Sequence, residues 1–223
     1  MGKGHIAGID PDQGSPATVH WDHPDEMTQA TLILAHGAGA PMDSDFMQAI
    51  AALLAARGVA VARFEFPYMA QRRIDGRKRP PNPQGVLLDC WREVYREVRG
   101  QVSGPLAIGG KSMGGRMASL LADELQADAL VCLGYPFHPP GKPEKPRVAH
   151  LAELRTPTLI VQGERDPFGG PERVAGYVLP AAIHLHWLEA ADHDFSPLKS
   201  TGLTQAGHLA TAADAMAAFL LGL

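Results

Sequence analysis

An α/β domain built on one mostly parallel, doubly wound sheet is the fold class this sequence predicts, and three observations carry the prediction. Short apolar runs without polar alternation recur along the chain, as at Ala30 to Ala35 and Ala129 to Leu133. Such runs suit strands buried on both faces, as in a parallel sheet. Segments with helical apolar spacing stand between them, the βα alternation of a sheet covered by helices on both faces. The chain has 223 residues, 45% hydrophobic and 20% charged, enough for one sizeable core. With no internal repeat and no long linker, residues 1–223 read as a single domain.

The elements follow in order. Ala17 to Trp21 alternates and reads as an edge strand. Ala30 to Ala35 is a buried strand ending at His36-Gly37. Asp43 or Ser44 is placed to cap a helix through Phe46, Ile50, Leu53 and Leu54, stopping near Gly58. Val59 to Phe66 is a strand ended by Pro67. Residues 68–84 read as a long loop, because Pro80, Pro81 and Pro83 oppose regular structure. A helix from about Val86 to Arg99, a strand from Pro105 to Gly109 and a helix from Arg116 to Leu125 come next. Ala129 to Leu133 is a strand leading into a Pro-rich loop, Tyr135 to Pro146. The strand Thr158 to Val161, a helix from Pro171 to Val178, the strand Ile183 to Leu188 and a helix from Gly207 to Leu221 complete about six or seven strands with their crossovers. Right-handed crossovers bring the strand C-terminal ends to one edge, where such sheets bind ligands.

The stretch IGGKSMGGR (108–116) admits two chemistries. Gly-Lys-Ser ends a phosphate-binding P-loop, and Gly110-Lys111-Ser112-Met113-Gly114 is G-x-S-x-G, the turn that exposes a nucleophilic serine. A P-loop needs its first glycine at position 105, where Pro105 stands, and needs loop where Leu106 to Ile108 reads as strand. The nucleophile turn needs strand, motif and helix in that order, and all three are present. Gly110 and Gly114 then supply the small neighbours that close packing of strand on helix requires. Ser112 becomes the candidate nucleophile, and Lys111 an incidental residue of the turn.

A serine hydroxyl needs a base, and a histidine base needs a carboxylate to fix its tautomer. In sheets of this type they follow the serine in the order acid, then histidine, each after a strand. Asp166 lies just after the strand at 158–161, and His193 just after the strand at 183–188. Glu164 stands two residues before Asp166 as an alternative acid, and His208 is a second candidate base. Met113 N–H and Ala38 N–H are the candidate oxyanion donors, the latter in the small-residue loop His36-Gly37-Ala38-Gly39-Ala40. His36 itself is read as bonding the loop. His184 and His186 alternate on one strand with no third ligand evident, so no metal site is expected.

With these residues in view, the chain resembles the α/β-hydrolase superfamily, and over most of its length the small cap-less, dienelactone-hydrolase-like proteins. The segments that carry the resemblance are LAHGAGAPMDSDFM (34–47), RFEFPYM (63–69), GGKSMGGRMAS (109–119), LGYPFHPPGKP (133–143), QGERDPFG (162–169) and the HDF at 193–195. The resemblance implies an α/β-hydrolase fold without a large cap and a triad mapping onto Ser112, Asp166 and His193. It implies a carboxylesterase-like serine hydrolase with no cofactor. The partner expected is a small-molecule acyl substrate, an ester or thioester, while monomer and homodimer stay open. Two other functions share the fold: a non-catalytic interaction module and an acyltransferase. Rims are expected from residues 42–46, 68–79 and 135–143, with Met42, Tyr68 and Phe137 as candidate pocket residues. Arg72, Arg73, Arg77, Lys78 and Arg79 against Asp75 make the second rim basic.

Composition removes other classes. A net charge of −4 argues against nucleic acid or an anionic membrane as the main partner. Cys90 and Cys132 form no C-x-x-C, and Cys132 reads as a buried, inert thiol. The stretch MGKGHIAGIDPDQGSP has no apolar signal-peptide region, Ile6 stands where myristoylation wants Ser or Thr, and no run of 18 apolar residues occurs. A cytoplasmic setting is the resulting expectation.

Overall fold

The computed structural model describes residues 18–223. The N-terminal stretch read above for targeting signals, and Ala17 of the first expected strand, lie outside the described residues. Seven strands form one sheet: β1 (Val19–Asp22), β2 (Ala30–Ala35), β3 (Val59–Phe64), β4 (Leu106–Lys111), β5 (Ala129–Leu133), β6 (Thr158–Gly163) and β7 (Ile183–Leu188). Their order is β1-β3-β2-β4-β5-β6-β7, with β1 antiparallel to β3 and every other pairing parallel. The order runs one way from β2 to β3 and the other way from β4 to β7. The reversal falls between β2 and β4, and the crevice at such a switch point is where open α/β sheets place ligands.

Helices cover both faces because the strand side chains alternate between two cores. Ile33 and Ala35 of β2 join the face packed by α2 (Pro67–Asp75), α3 (Gln84–Arg99) and α4 (Met113–Ser119) through Met69, Trp91, Val94 and Met117. Leu32 and Leu34 join the opposite face, packed by α1 (Asp45–Ala55) and α6 (Gln205–Leu221) through Met47, Ile50, Leu54, Ala213 and Met216. Each such fully buried Leu, Ile, Met or Val side chain contributes about 1.5–3 kcal/mol of burial. A single turn, α5 (Pro171–Val174), follows β6.

Between β5 and β6 the chain makes bends and one 3-10 turn, Ala149–Glu153. No lid domain is inserted there. Among the described residues no helix is long and apolar enough to cross a membrane.

Four expectations for the elements need correction. Residues 68–84 are not all loop: α2 occupies the first half. Pro67 is its first-turn residue, where a missing N–H costs nothing, and Gly76 ends it at φ 70° in the left-handed region. The proline run governs only the stretch after Gly76. The helix expected from Arg116 to Leu125 begins at Met113 and gives way to turns after Ser119. The helix expected over 171–178 is one turn. Ser44 takes the N-cap position of α1, yet its hydroxyl makes no capping bond. Thr204 does cap α6, accepting from Gly207 N at 3.1 Å.

Candidate active site

Ser112 follows β4 directly and precedes α4 directly. Its backbone sits at φ 50°, ψ −112°, a conformation that costs a non-glycine residue about 1–3 kcal/mol and persists only where packing enforces it. The packing is visible at its neighbours. A Cβ on Gly110 would lie 2.6 Å from Ala35 O and 2.7 Å from Gly115 N, and one on Gly114 would lie 2.6 Å from both Ala35 O and His36 O. Gly115 is also hemmed in, with a Cβ there meeting Cys132 at 3.3 Å. Ser112 N–H donates to Leu133 O at 2.8 Å, and Arg116 N–H donates to Ser112 O at 3.0 Å. The turn is therefore fixed on both sides. Met113 opens α4, so its N–H belongs to the first turn, which has no intrahelical acceptor.

Two further strand ends bring the acid and the base together. Asp166 follows β6 and is 3% exposed. Its Oδ2 accepts from His193 Nδ1 at 2.7 Å and from Gln162 Nε2 at 2.9 Å, while its Oδ1 accepts from Phe168 N–H at 2.8 Å. His193 lies in the loop after β7, its side chain 20% exposed. Phe168 meets its ring edge-on at 4.6 Å between centroids. Gly134, just past β5, lies beneath the imidazole: a Cβ there would stand 3.1 Å from His193 Cε1. With Nδ1 held by Asp166, neither His193 Nε2 nor Ser112 Oγ has a hydrogen-bond partner among the described residues.

The alternatives point elsewhere. Glu164 is exposed and accepts from Ala190 N–H at 2.8 Å. His208 Nδ1 bonds Phe195 O at 2.9 Å. Asp192 Oδ1 accepts from Asp194 N–H and Ser196 N–H, both at 2.9 Å, closing the loop that carries His193. A second serine–histidine contact exists, Ser119 Oγ to His150 Nε2 at 2.8 Å. There Ser119 is buried and donates to Arg116 O, and no carboxylate bonds His150. Tyr135 O–H donates to Arg147 O beside it. Both hydroxyl protons are thus used, so Nε2 carries the imidazole proton. Burial, and then Arg116, lower the His150 pKa to about 4.

The loop after β2 is fixed through its carbonyls. Phe66 N–H donates to His36 Nε2 at 3.1 Å, which puts the proton on Nδ1, and Nδ1 donates to Gly37 O at 2.6 Å. Burial lowers the His36 pKa and favours this neutral ring. Tyr68 O–H donates to Ala38 O at 2.9 Å. A trans peptide directs N–H opposite to C=O. Holding Gly37 O toward His36 therefore turns Ala38 N–H the other way, and Ala38 itself is exposed.

The remaining expected residues are distributed as follows. Tyr68 is 3% exposed, with only its phenol near the loop; burial raises its pKa. Met42 is half-buried, its carbonyl accepting from Arg63. Phe137 is not a cleft wall: it is fully buried, with its ring against Tyr135 and Tyr177. Two of the five cations of the basic rim are neutralised locally, Arg73 by Asp43 and Glu65, and Arg79 by Asp75. Among the described residues no cluster of three or more His, Cys, Asp or Glu side chains suited to a metal occurs.

Two residues of the site escape the sequence reading. Gln162 is fully buried at the end of β6. It bonds Asp166 and accepts from Tyr135 N–H at 2.7 Å. Its signal was a polar side chain closing an apolar strand. Lys111, read as incidental, is buried and donates to His193 O at 2.8 Å. Its signal was weaker, a lysine in an otherwise apolar strand end.

An α/β hydrolase family model matches residues 28–221, and the chain belongs to that family. Among solved structures, the chain is similar to a dienelactone hydrolase from Anabaena variabilis, with a TM-score of 0.72 and 20% identity over 98% of this chain and 96% of that one. It is also similar to an α/β serine hydrolase without a lid from Xanthomonas campestris, with a TM-score of 0.66 and 18% identity over 94% and 98% of the two chains. A third is Est1E from Butyrivibrio proteoclasticus, solved with ferulic acid bound, with a TM-score of 0.65 and 17% identity over 92% and 94%. At these identities the likeness establishes the lid-less α/β-hydrolase fold, and activity has to be argued from the site.

Proposed function

We propose that the protein is a carboxylesterase-like serine hydrolase acting on a small acyl ester or thioester, with Ser112 as nucleophile, His193 as base and Asp166 as its orienting acid. The observation that carries the reading is the 2.7 Å bond from His193 Nδ1 to the buried Asp166 carboxylate, at the same sheet edge as a serine held at positive φ. Asp166 fixes the Nδ1–H tautomer, leaving Nε2 as the proton acceptor, and stabilises the imidazolium that forms.

In the first step Ser112 Oγ attacks the carbonyl carbon while its proton passes to His193 Nε2. The Met113 and Ala38 N–H groups receive the developing oxyanion. Collapse expels the alcohol or thiol, which takes the proton from His193, and leaves an acyl-Ser112 ester. Water then attacks that ester, giving its proton to His193 Nε2, and the carboxylic acid leaves as Ser112 is reprotonated. The open Ser112–His193 contact suits a relay that tightens when substrate fills the cleft. These residues complete the chemistry with no cofactor, and the whole chain acts as one domain.

A panel of short and long, neutral and charged acyl esters and thioesters tests the reading and narrows the substrate. Turnover of at least one class, lost in Ser112→Ala, is expected. Turnover that needs Ser112 but passes acyl groups to an added amine or alcohol in preference to water would replace hydrolysis by acyl transfer, whereas turnover surviving in Ser112→Ala would overturn Ser112 as the nucleophile. No turnover of any member would leave the fold serving as an interaction module.

A further inference from the structure

Lys111 touches three of the four strand-end segments from which the proposed site is built, all but the loop that carries Asp166. It precedes Ser112 in the chain. Its Cγ stands 3.6 Å from where a Cβ on Gly37 would be, so its stem lies against the loop that carries Ala38. Its Nζ reaches the loop after β7, donating to His193 O at 2.8 Å and standing 3.3 Å from Asp194 Oδ1. The Phe46 ring of α1 covers Nζ at 5.3 Å, and Phe46 packs in turn on Phe195 of the same loop. Only 9% of the Lys111 side chain is exposed.

A methionine would fill this space without stripping water from a charge, which is the costlier choice when packing alone is at stake. What the lysine adds is a donor at the end of a long stem. Burial pulls its pKa down, while Asp194 foremost pushes it back up. Ammonium and amine alike donate to a carbonyl, so the bond to His193 O holds in either form. Asp166 fixes the His193 ring through Nδ1, but nothing in that bond sets the height of the His193 backbone above Ser112. The bond from Lys111 ties that backbone to the strand end that carries Ser112.

We propose that Lys111 is a positioning residue: its buried Nζ clamps the main chain of His193 to the strand end that carries Ser112, setting the distance over which the proton passes. The inference rests on the Ser112–His193–Asp166 reading. A displacement of about 1 Å between reacting groups can cost about 100-fold in rate, so release of the clamp lowers the chemical step and spares binding.

The test is the kinetics of labelling by an alkyl fluorophosphonate, separating the limiting rate kinact from the half-saturation constant KI. In Lys111→Met, kinact is expected to fall about tenfold or more, with KI and the final labelled fraction unchanged and Tm held. Lys111→Arg, which keeps a donor, is expected to recover most of the loss. A role in packing alone would lower the labelled fraction or Tm and leave kinact of the folded protein near wild type. If kinact in Lys111→Met stays within about twofold of wild type, or if Arg and Met are equally slow, the clamp is overturned while the triad stands. If the wild-type protein is not labelled at Ser112, the triad reading fails and the clamp fails with it. Should Lys111→Met not fold, Lys111→Gln, too short to reach His193 O, is read by the same criteria.

Discussion

The carboxylate bonded to His193 is that of Asp166, both of whose oxygens are engaged, while Glu164 accepts from Ala190 N–H instead. Replacing one oxygen by an amide puts a donor where His193 Nδ1–H and Gln162 Nε2–H both need an acceptor, and the imidazole must take the wrong tautomer. Asp166→Asn is expected to lower kcat by about 10⁴-fold with the fold retained by circular dichroism, while Glu164→Gln stays near wild type. Near-wild-type turnover in Asp166→Asn would move the acid elsewhere. At this scale the candidates Ser112, Asp166 and His193 were legible because each lies at or shortly after a strand end, in the chain order that parallel topology brings to one edge. Lys111 and Gln162 were not, because their roles depend on partners 82 and 4 residues away that only the folded register reveals. Phe137 was misread for a related reason: an aromatic in a Pro-rich loop gives no sign of whether it turns outward or into the core.

Among the elements, the turn from β4 to α4 is where local geometry is least forgiving. A methyl on Gly114 would meet two main-chain carbonyl oxygens at 2.6 Å, and backbone cannot move aside as a flexible side chain can. Gly114→Ala is expected to destabilise the protein by about 1–3 kcal/mol or more in urea denaturation. Gly85, in the first turn of α3 with no atom within 4 Å of its would-be Cβ, is the contrast. Gly85→Ala is expected to be neutral or to stabilise by up to about 1 kcal/mol. Equal effects of the two substitutions would remove the packing explanation for the elbow glycines. The strands were readable from their apolar runs, and α3 and α6 were found within two residues of their starts. α2 was missed because Pro67 can end a strand or open a helix, and the tertiary fold here uses it for the second. α4 was placed late because two glycines and a serine at its start have poor helical propensity, which close packing on β2 and β5 overrides.

For the whole molecule, the reversal of strand order between β2 and β4 puts the His36–Ala40 loop beside the Ser112 turn, and the β5–β6 connection, made of bends, turns and one 3-10 turn, inserts no lid over that edge. Two histidines outside the proposed triad, the buried His36 and the half-buried His150, are expected to give the fold a pH dependence. Both have pKa values lowered by burial from 6.5, His150 to about 4. Above pH 6.5 they are neutral folded or unfolded, and their contribution is fully present. As pH falls below 6.5 the unfolded chain takes up protons that the folded one refuses, so stability declines, for His150 until about pH 4. Urea midpoints between pH 7 and pH 4.5 are expected to fall accordingly, less steeply in His150→Gln. An unchanged slope would mean that His150 is not held neutral. The reading of this crevice as a serine-hydrolase site is tested most directly by fluorophosphonate labelling followed by peptide mapping. The expected result is a single adduct on Ser112, absent in Ser112→Ala and strongly slowed in His193→Ala. An adduct on another serine such as Ser119, or equal labelling of Ser112→Ala, would contradict it.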